Sequence, residues 1–360
     1  MTLDLEASSQ ERSAPGGRQN LVRSWVGASV STASTVIVVL SGLLFVAFAV
    51  GRLLPIDPVL RVIGDHAPQA LYDQTFRDLH LDRPLLEQFI LFCRDMLRGD
   101  FGVSTTTGNL VADDIARFFP ATLELATVAI IIGVGCGLPL GMVSARYAGK
   151  WPDQLTRAVS LFGHSVPIFW LGLVGLLVFY ARLNWVGGPG RLDIAYQYTI
   201  ADRTGMVLVD TALAGDWHAF ANAVSHIALP GLLLGLVAVG DIARTTRGFL
   251  LWQLRQDYIN VARLKGLSEA AILWRHAVPN ALAPILAVIA FTYASLLEGA
   301  VLTETVFAWP GLGLYITQSL FAADMRAVLA STLIIGALFL LLNMLAEFAQ
   351  SRLDPRARVR

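Results

Sequence analysis

Apolar residues along the chain collect into six runs with few or no charges: Gly27–Val50, Ala121–Ala145, Ala158–Ala181, Ala221–Gly240, Ala281–Leu302 and Ala327–Phe348. A hydrocarbon core of about 30 Å is crossed by about 20 residues of helix. A lone strand cannot satisfy its backbone there, so each run predicts a membrane-crossing helix. The expected fold is all-α: a polytopic membrane protein with six transmembrane helices and an outer helical segment between spans one and two. That segment, about 70 residues, is too long for a plain loop. Within it Leu86, Phe89, Ile90, Cys93, Met96 and Leu97 recur at intervals of three and four, the period of an amphipathic helix. Pro84 suits its first turn and Gly99 its end. Residues 182–220, rich in Gly, Asp and aromatics, are expected to fold over a pore mouth, and Phe307–Gly313 to form a rigid turn. Residues 1–26 read as a disordered polar tail. Residues 27–120 hold the first span and outer segment, 121–348 a five-helix core, and 349–360 a second tail.

Composition agrees with a membrane location. Hydrophobic residues make up 55% of the chain and charged residues 15%, against about 25% charged in soluble domains. Net charge is zero, so nothing implies a nucleic-acid partner. With six spans both termini share a side. That side carries 16 of the 27 Lys and Arg residues in the smaller share of loop sequence. The positive-inside rule then puts both termini and the 241–280 loop in the cytoplasm. Ala47-Phe48-Ala49 has the small-x-small form of a cleavage site, but its apolar run exceeds the length of a signal-peptide core. Cys93 and Cys136 fall in different environments and do not form a disulfide framework.

Several chemistries are missing. No G-x-x-x-x-G-K-[ST] phosphate loop occurs; Gly149-Lys150-Trp151 lacks both the first glycine and the hydroxyl residue. The chain therefore binds no ATP, and an energy source would have to act in trans. No HExxH, GxSxG or paired catalytic acids point to an enzyme. An ion-coupled transporter working alone would need paired mid-span acids and usually two inverted halves, which are not evident.

The 241–280 loop is the most specific feature. It reads Asn260-Val261-Ala262, three residues, Gly266, nine residues, then His276-Ala277-Val278-Pro279. The apolar positions Phe249, Leu250, Leu254, Tyr258, Val261 and Ala262 lie on one helical face. Gly266 permits a turn. A second short helix is expected from Ser268, a good N-cap, to His276, where Pro279 stops it. The result is a helix–turn–helix knob, small at Ala262 and Gly266 and basic at Arg263 and Lys265. It could enter a groove on a partner or lie as a hairpin on the membrane surface. The spacing resembles the E-A-A-x3-G-x9-I-x-L-P cytoplasmic loop of ABC-importer permeases, with Asn260, His276 and Val278 in place of the usual Glu, Ile and Leu. Glu269-Ala270-Ala271 is a false match, since no Gly or Pro follows it at the right distance. Further stretches resemble the B-type permeases of dipeptide, oligopeptide and nickel importers. They include Leu81-Asp82-Arg83-Pro84-Leu85, Arg98–Ser104, Phe119–Ala126, Arg255–Tyr258, Ala262–Ser268, Glu304–Phe307 and Leu353–Arg356.

The resemblance implies a non-catalytic translocation subunit in a bacterial inner membrane. It would pair with a homologous second permease, take di- or oligopeptides from an extracytoplasmic solute-binding protein, and leave ATP and Mg to two ATPase subunits. Nickel, opines or oligosaccharides are the alternative cargoes. The implied ATPase-docking residues are Asn260, Val261, Ala262, Arg263, Lys265, Gly266, Leu267, His276 and Pro279. Within the spans, Gly133, Gly135, Gly137 and Gly141 with Pro139 suggest a close-packing, bendable face. Pro167 and Pro230 suggest kinks. Glu124 is placed at the first turn of span two and read as structural. His164 and His226 are read as hydrogen-bonded interior residues. Glu347 is read as snorkelling towards Arg352. Glu298, deep in span five without a basic partner, is a candidate either for the translocation path or for the permease–permease interface. Trp309 and Pro310 join it as candidates for the path, its outer gate or the docking surface of the solute-binding protein.

Overall fold

The computed structural model describes Ser34 and residues 37–46, 48–50, 58–64, 66–78 and 80–353. The described residues are helices and loops with one isolated β-bridge, between Val103 and Leu110. The helices are α1 (Ile37–Val50), α2 (Pro58–Ile63), α3 (Gln69–Asp78), α4 (Leu85–Leu97), α5 (Val111–Arg146), α6 (Trp151–Ser165), α7 (Ile168–Gly175), α8 (Val207–Ala214), α9 (Trp217–Leu254), α10 (Asp257–Leu264), α11 (Glu269–Ile272), α12 (Val278–Val306), α13 (Leu312–Phe321) and α14 (Met325–Leu353). Among the described residues four helices are long and apolar enough to cross a membrane; α6 and the helical stretch Ile168–Arg182, bent by 94°, pass the same test only when taken together as one broken span. The expected first span lies partly outside the described residues. The expected tail 1–26 and residues 354–360 of the second tail also lie outside them, as does the Arg352 side chain, while 349–353 continue α14. The amphipathic helix is α4, preceded by Pro84 and followed by Gly99 in a left-handed conformation.

The bundle centres on α5 and α9. Ala121, Leu125, Ala126 and Ala129 of α5 pack on Ile227, Leu234 and Ala238 of α9 and on Leu296, Leu297 and Ala300 of α12. Such close approach needs small residues. A Cβ on Gly133 would lie 2.5 Å from Ala238 Cβ, and one on Gly141 would lie 2.7 Å from the Ala243 carbonyl. Gly137 likewise faces Ile242, whereas Gly135 faces open space. The packing stripe is therefore 133-137-141, one glycine per helical turn along α5. On its other side α9 receives α6, where Ser160 Oγ donates to the Gly240 carbonyl over 3.1 Å.

Four expectations about the elements need correction. Span two begins at Val111, not Ala121, because the helix runs through Pro120. Glu124 is thus well inside α5 and not in its first turn. α9 runs on through Pro230, and the kink expected at Pro167 is present as a 94° bend between the two halves of span three. The face from Phe249 to Ala262 is not one helix: α9 ends at Leu254 and α10 starts afresh at Asp257. Pro279 does not stop the second knob helix. A π-helical stretch, Leu273–Ala277, carries α11 straight into α12. The wider π turn relieves the missing proline N–H and its ring clash, so the backbone passes the proline.

Candidate docking knob and translocation path

α10 and α11 form the knob, and Gly266 turns between them at φ +78° with nothing within 4 Å of a built Cβ. The turn closes through Gly266 N to the Arg263 carbonyl (2.9 Å) and Leu267 N to the Ala262 carbonyl (3.3 Å). Ser268 caps α11, its Oγ accepting from Ala271 N at 3.3 Å. Glu269, set aside as a false match, has a structural use: it accepts from Arg263 Nε at 2.8 Å, clipping the two helices together. That carboxylate raises the Arg263 pKa above its ordinary value.

The inner side of the knob is dry. Ile259, Ala262 and Ile272 pack together, with Ala262 only 5% exposed. Ala262 therefore fills the knob's own core and offers no surface to a partner. Asn260, Val261, Arg263, Lys265, Gly266 and Pro279 are exposed, while Leu267 and His276 are half-buried. The sequence reading missed Leu264, which is 88% exposed at the tip. Its only sequence signal was an apolar residue between two basic ones.

A polar network joins the knob to two spans. Tyr258 Oη donates to Gln253 Oε1 of α9 (2.9 Å), and Gln253 Nε2 donates to the Asn280 carbonyl of α12 (3.1 Å). Asn280 Nδ2 donates to the His276 carbonyl (2.7 Å) and reaches Tyr258 Oη (3.3 Å). Beside it, Asp153 is fully buried and gathers Arg247 of α9 (2.6 and 2.9 Å), Ser144 of α5 (2.6 Å), Arg157 (3.0 Å) and the Gly149 N–H (2.8 Å). One carboxylate thus ties together the ends of α5, α6 and α9.

On the path side, Glu298 is exposed on α12, on the face shared by Phe291 and Leu302, with no ion pair or hydrogen bond among the described residues. Pro310 is exposed, but Trp309 is 1% exposed and its Nε1 donates to the Ala121 carbonyl at 2.9 Å. Trp309 wedges the core between α5 and α12, so its ring lines no path in this chain. Glu304, one turn before Trp309, is buried at the same place. Its carboxylate accepts from Thr122 Oγ1 (2.6 Å) and Leu314 N (3.0 Å) and so holds the turn after α12 against α5.

The loop after span three also lies over this end. Arg191 pairs with Glu124 at 2.7 Å, and Glu124 accepts from Leu208 N at 2.6 Å. The structural reading of Glu124 stands on those partners. His226 is buried, with Nδ1 2.9 Å from the Asn222 carbonyl. His164 is more open, with Nδ1 3.0 Å from the Ser160 carbonyl and Nε2 3.2 Å from Asp241. Cys93 and Cys136 are free thiols.

Comparison with known proteins bears on this arrangement. Residues 137–359 match the model of the binding-protein-dependent transport system inner membrane component family. The probable D,D-dipeptide transport system permease of Escherichia coli is 39% identical over 89% of this chain and 94% of its own. The di/tripeptide transport system permease of Pseudomonas aeruginosa is 38% identical over 88% of this chain and 94% of its own. The inward-facing MetNI methionine ABC transporter structure aligns at TM-score 0.46 and 21% identity, covering 68% of this chain and 96% of that chain. With its apolar spans and its match over most of its length, this multi-pass membrane protein belongs to the family of binding-protein-dependent transport system inner membrane components.

Proposed function

We propose that this chain is the permease subunit of an ATP-driven importer and forms half of a pore for di- or oligopeptides. The observation that carries the cargo assignment is near full-length identity to permeases named for dipeptide transport. In this reading both termini and the knob face the cytoplasm. Two ATPase subunits, holding ATP and Mg, receive the knobs of this chain and of a homologous second permease. A solute-binding protein delivers cargo to the opposite face. The knob suits a socket because its inner side is already packed while Leu264, Val261 and Lys265 project. Exposed apolar side chains grouped at a protrusion are the usual anchors of an interface. Glu298, on the open face of α12, would meet amino-terminal groups of passing peptides.

The test is ATP hydrolysis by the complex purified through a tag on this chain, in lipid discs. The additions compared are none, binding protein with mixed short peptides, and binding protein with nickel. Stimulation by the peptide-loaded protein is expected, and Leu264→Asp or Gly266→Asp should abolish both stimulation and co-purification of the ATPase. Stimulation by nickel alone would replace the cargo assignment; absence of any ATPase would overturn the importer reading. Glu298→Gln should lower peptide transport without changing docking, and unchanged transport would remove Glu298 from the path.

A further inference from the structure

Building on the importer reading, we infer that Gln253 is a positioning residue. Its side-chain amide straps the knob and α9 to the start of α12, so that displacement of the knob turns α12 about that point. Pro284 lies inside α12 and has no N–H to give the Asn280 carbonyl four residues before it. The earlier proline, Pro279, follows the π-helical stretch Leu273–Ala277, whose wider turn accommodates it. Pro284 has ordinary α-helix on both sides. Its missing bond is made from another span: Gln253 Nε2 of α9 donates to the Asn280 carbonyl over 3.1 Å.

The same amide is committed at its other end. Gln253 Oε1 accepts from Tyr258 Oη of the knob (2.9 Å), and Asn280 Nδ2 reaches back to Tyr258 Oη (3.3 Å). Gln253 is 9% exposed, so water competes little for either bond. A glutamine suits the position because one planar group offers both a donor and an acceptor. The strap stands where the backbone gives no rigid link. α9 ends at Leu254 and the knob starts afresh at Asp257, whereas the knob's second helix runs unbroken from Glu269 into α12. A moving knob therefore carries α12 directly but reaches α9 across the break at Arg255-Gln256. Leu250 of α9 also packs on Leu273, Ala277 and Ala281. Apolar burial is non-directional, so that packing holds the helices together without fixing their register. Beside the strap, Thr245, Gly248, Phe249, Trp252 and Pro284 line a groove of about 600 Å³, which leaves α12 space to turn against α9.

The test is ATP hydrolysis by the complex purified through a tag on this chain, in lipid discs, with and without binding protein loaded with mixed short peptides. Gln253→Met keeps the length of the side chain and removes both bonds; Tyr258→Phe cuts only the knob side. Each should reduce the peptide-dependent stimulation about tenfold. Basal hydrolysis and co-purification of the ATPase should stay at the parent's level, a split that loss of docking would not give. Pro284→Ala in the Gln253→Met background returns a helical N–H to the Asn280 carbonyl but leaves the knob unstrapped, so stimulation should stay low. Recovery in that double variant would reduce Gln253 to a local repair of α12 and overturn its coupling role. Undiminished stimulation in either single variant would overturn it too. Should Gln253→Met lower the unfolding midpoint, Tyr258→Phe, at an exposed side chain, decides alone. A parent complex with no ATPase or no stimulation would overturn the importer reading itself, and the strap with it.

Discussion

Asp153→Ala strands the Arg247 guanidinium, whose side chain is only 21% exposed, without its carboxylate. Removing one partner of a buried pair costs about 3–5 kcal/mol, because the remaining charge stays desolvated. The expected outcome is a large fall in unfolding midpoint in detergent, partly restored by the double substitution Asp153→Leu with Arg247→Met. An alanine variant as stable as the parent would mean that Arg247 finds water. Arg157, 63% exposed, should matter far less when truncated. At this scale the sequence was only half informative. An acid can be seen in the string, but its counter-charge cannot: Arg191 lies 67 positions from Glu124 and Arg247 94 from Asp153. Glu304 was visible within a motif. Its use depends on the chain turning back at Gly311 and Gly313, where a side chain would collide with the carboxylate. Leu264 was passed over because exposure is a property of the folded turn.

Among the elements, the glycines of α5 separate packing from propensity. A leucine at Gly137 would begin with a Cβ 3.0 Å from that of Ile242, and such overpacking costs about 1–3 kcal/mol. Gly135→Ala meets nothing and should be neutral or stabilising by up to about 1 kcal/mol, the helix-propensity gain. The pair is read as two unfolding midpoints; equal effects would refute the one-per-turn stripe. The sequence identified the glycine-rich run and, in it, the Gly-x-x-x-Gly at 137–141, but it could not add Gly133 or set Gly135 aside, since α9 decides which face is covered. Its errors at element ends share a cause. Residues 111–120 were placed in the outer segment because Asp113, Asp114 and Arg117 interrupt the apolar run. Yet Asp114 is buried, accepting from Tyr315 Oη (3.0 Å) and Asn109 Nδ2 (3.1 Å). Pro167 was legible as a kink, but its 94° angle belongs to the packing around it.

For the whole molecule, the proposed orientation is open to a labelling test. Cys93 lies on α4, and partial burial raises its thiol pKa above the ordinary value. Less thiolate is therefore present at neutral pH, and the thiolate is the reactive form. In a Cys136→Ser background, a membrane-impermeant maleimide added to spheroplasts should label Cys93 slowly at pH 7 and faster as pH rises. Labelling that requires permeabilised cells would invert the topology. The spans themselves were readable because hydrocarbon demands long apolar helices, whereas the loops that cover their ends follow no such rule.

The glycine stripe has a mechanical consequence when taken with the ionic ties at the ends of α5. Helices that meet backbone to backbone, with Ser144 of α5 and Arg247 of α9 both bound to the Asp153 carboxylate of α6 at one end, have almost no room to slide or rotate past each other. They form a single two-helix plank, and its internal geometry drops out of the degrees of freedom open to the pore. Any alternation of access has to be a change in where that plank, with α6 tied to it, stands relative to α12, α14 and α7 beyond the bend. Paired spin labels across α5 and α9 should hold one distance in every nucleotide state, while pairs from α9 to α7 or α14 should not.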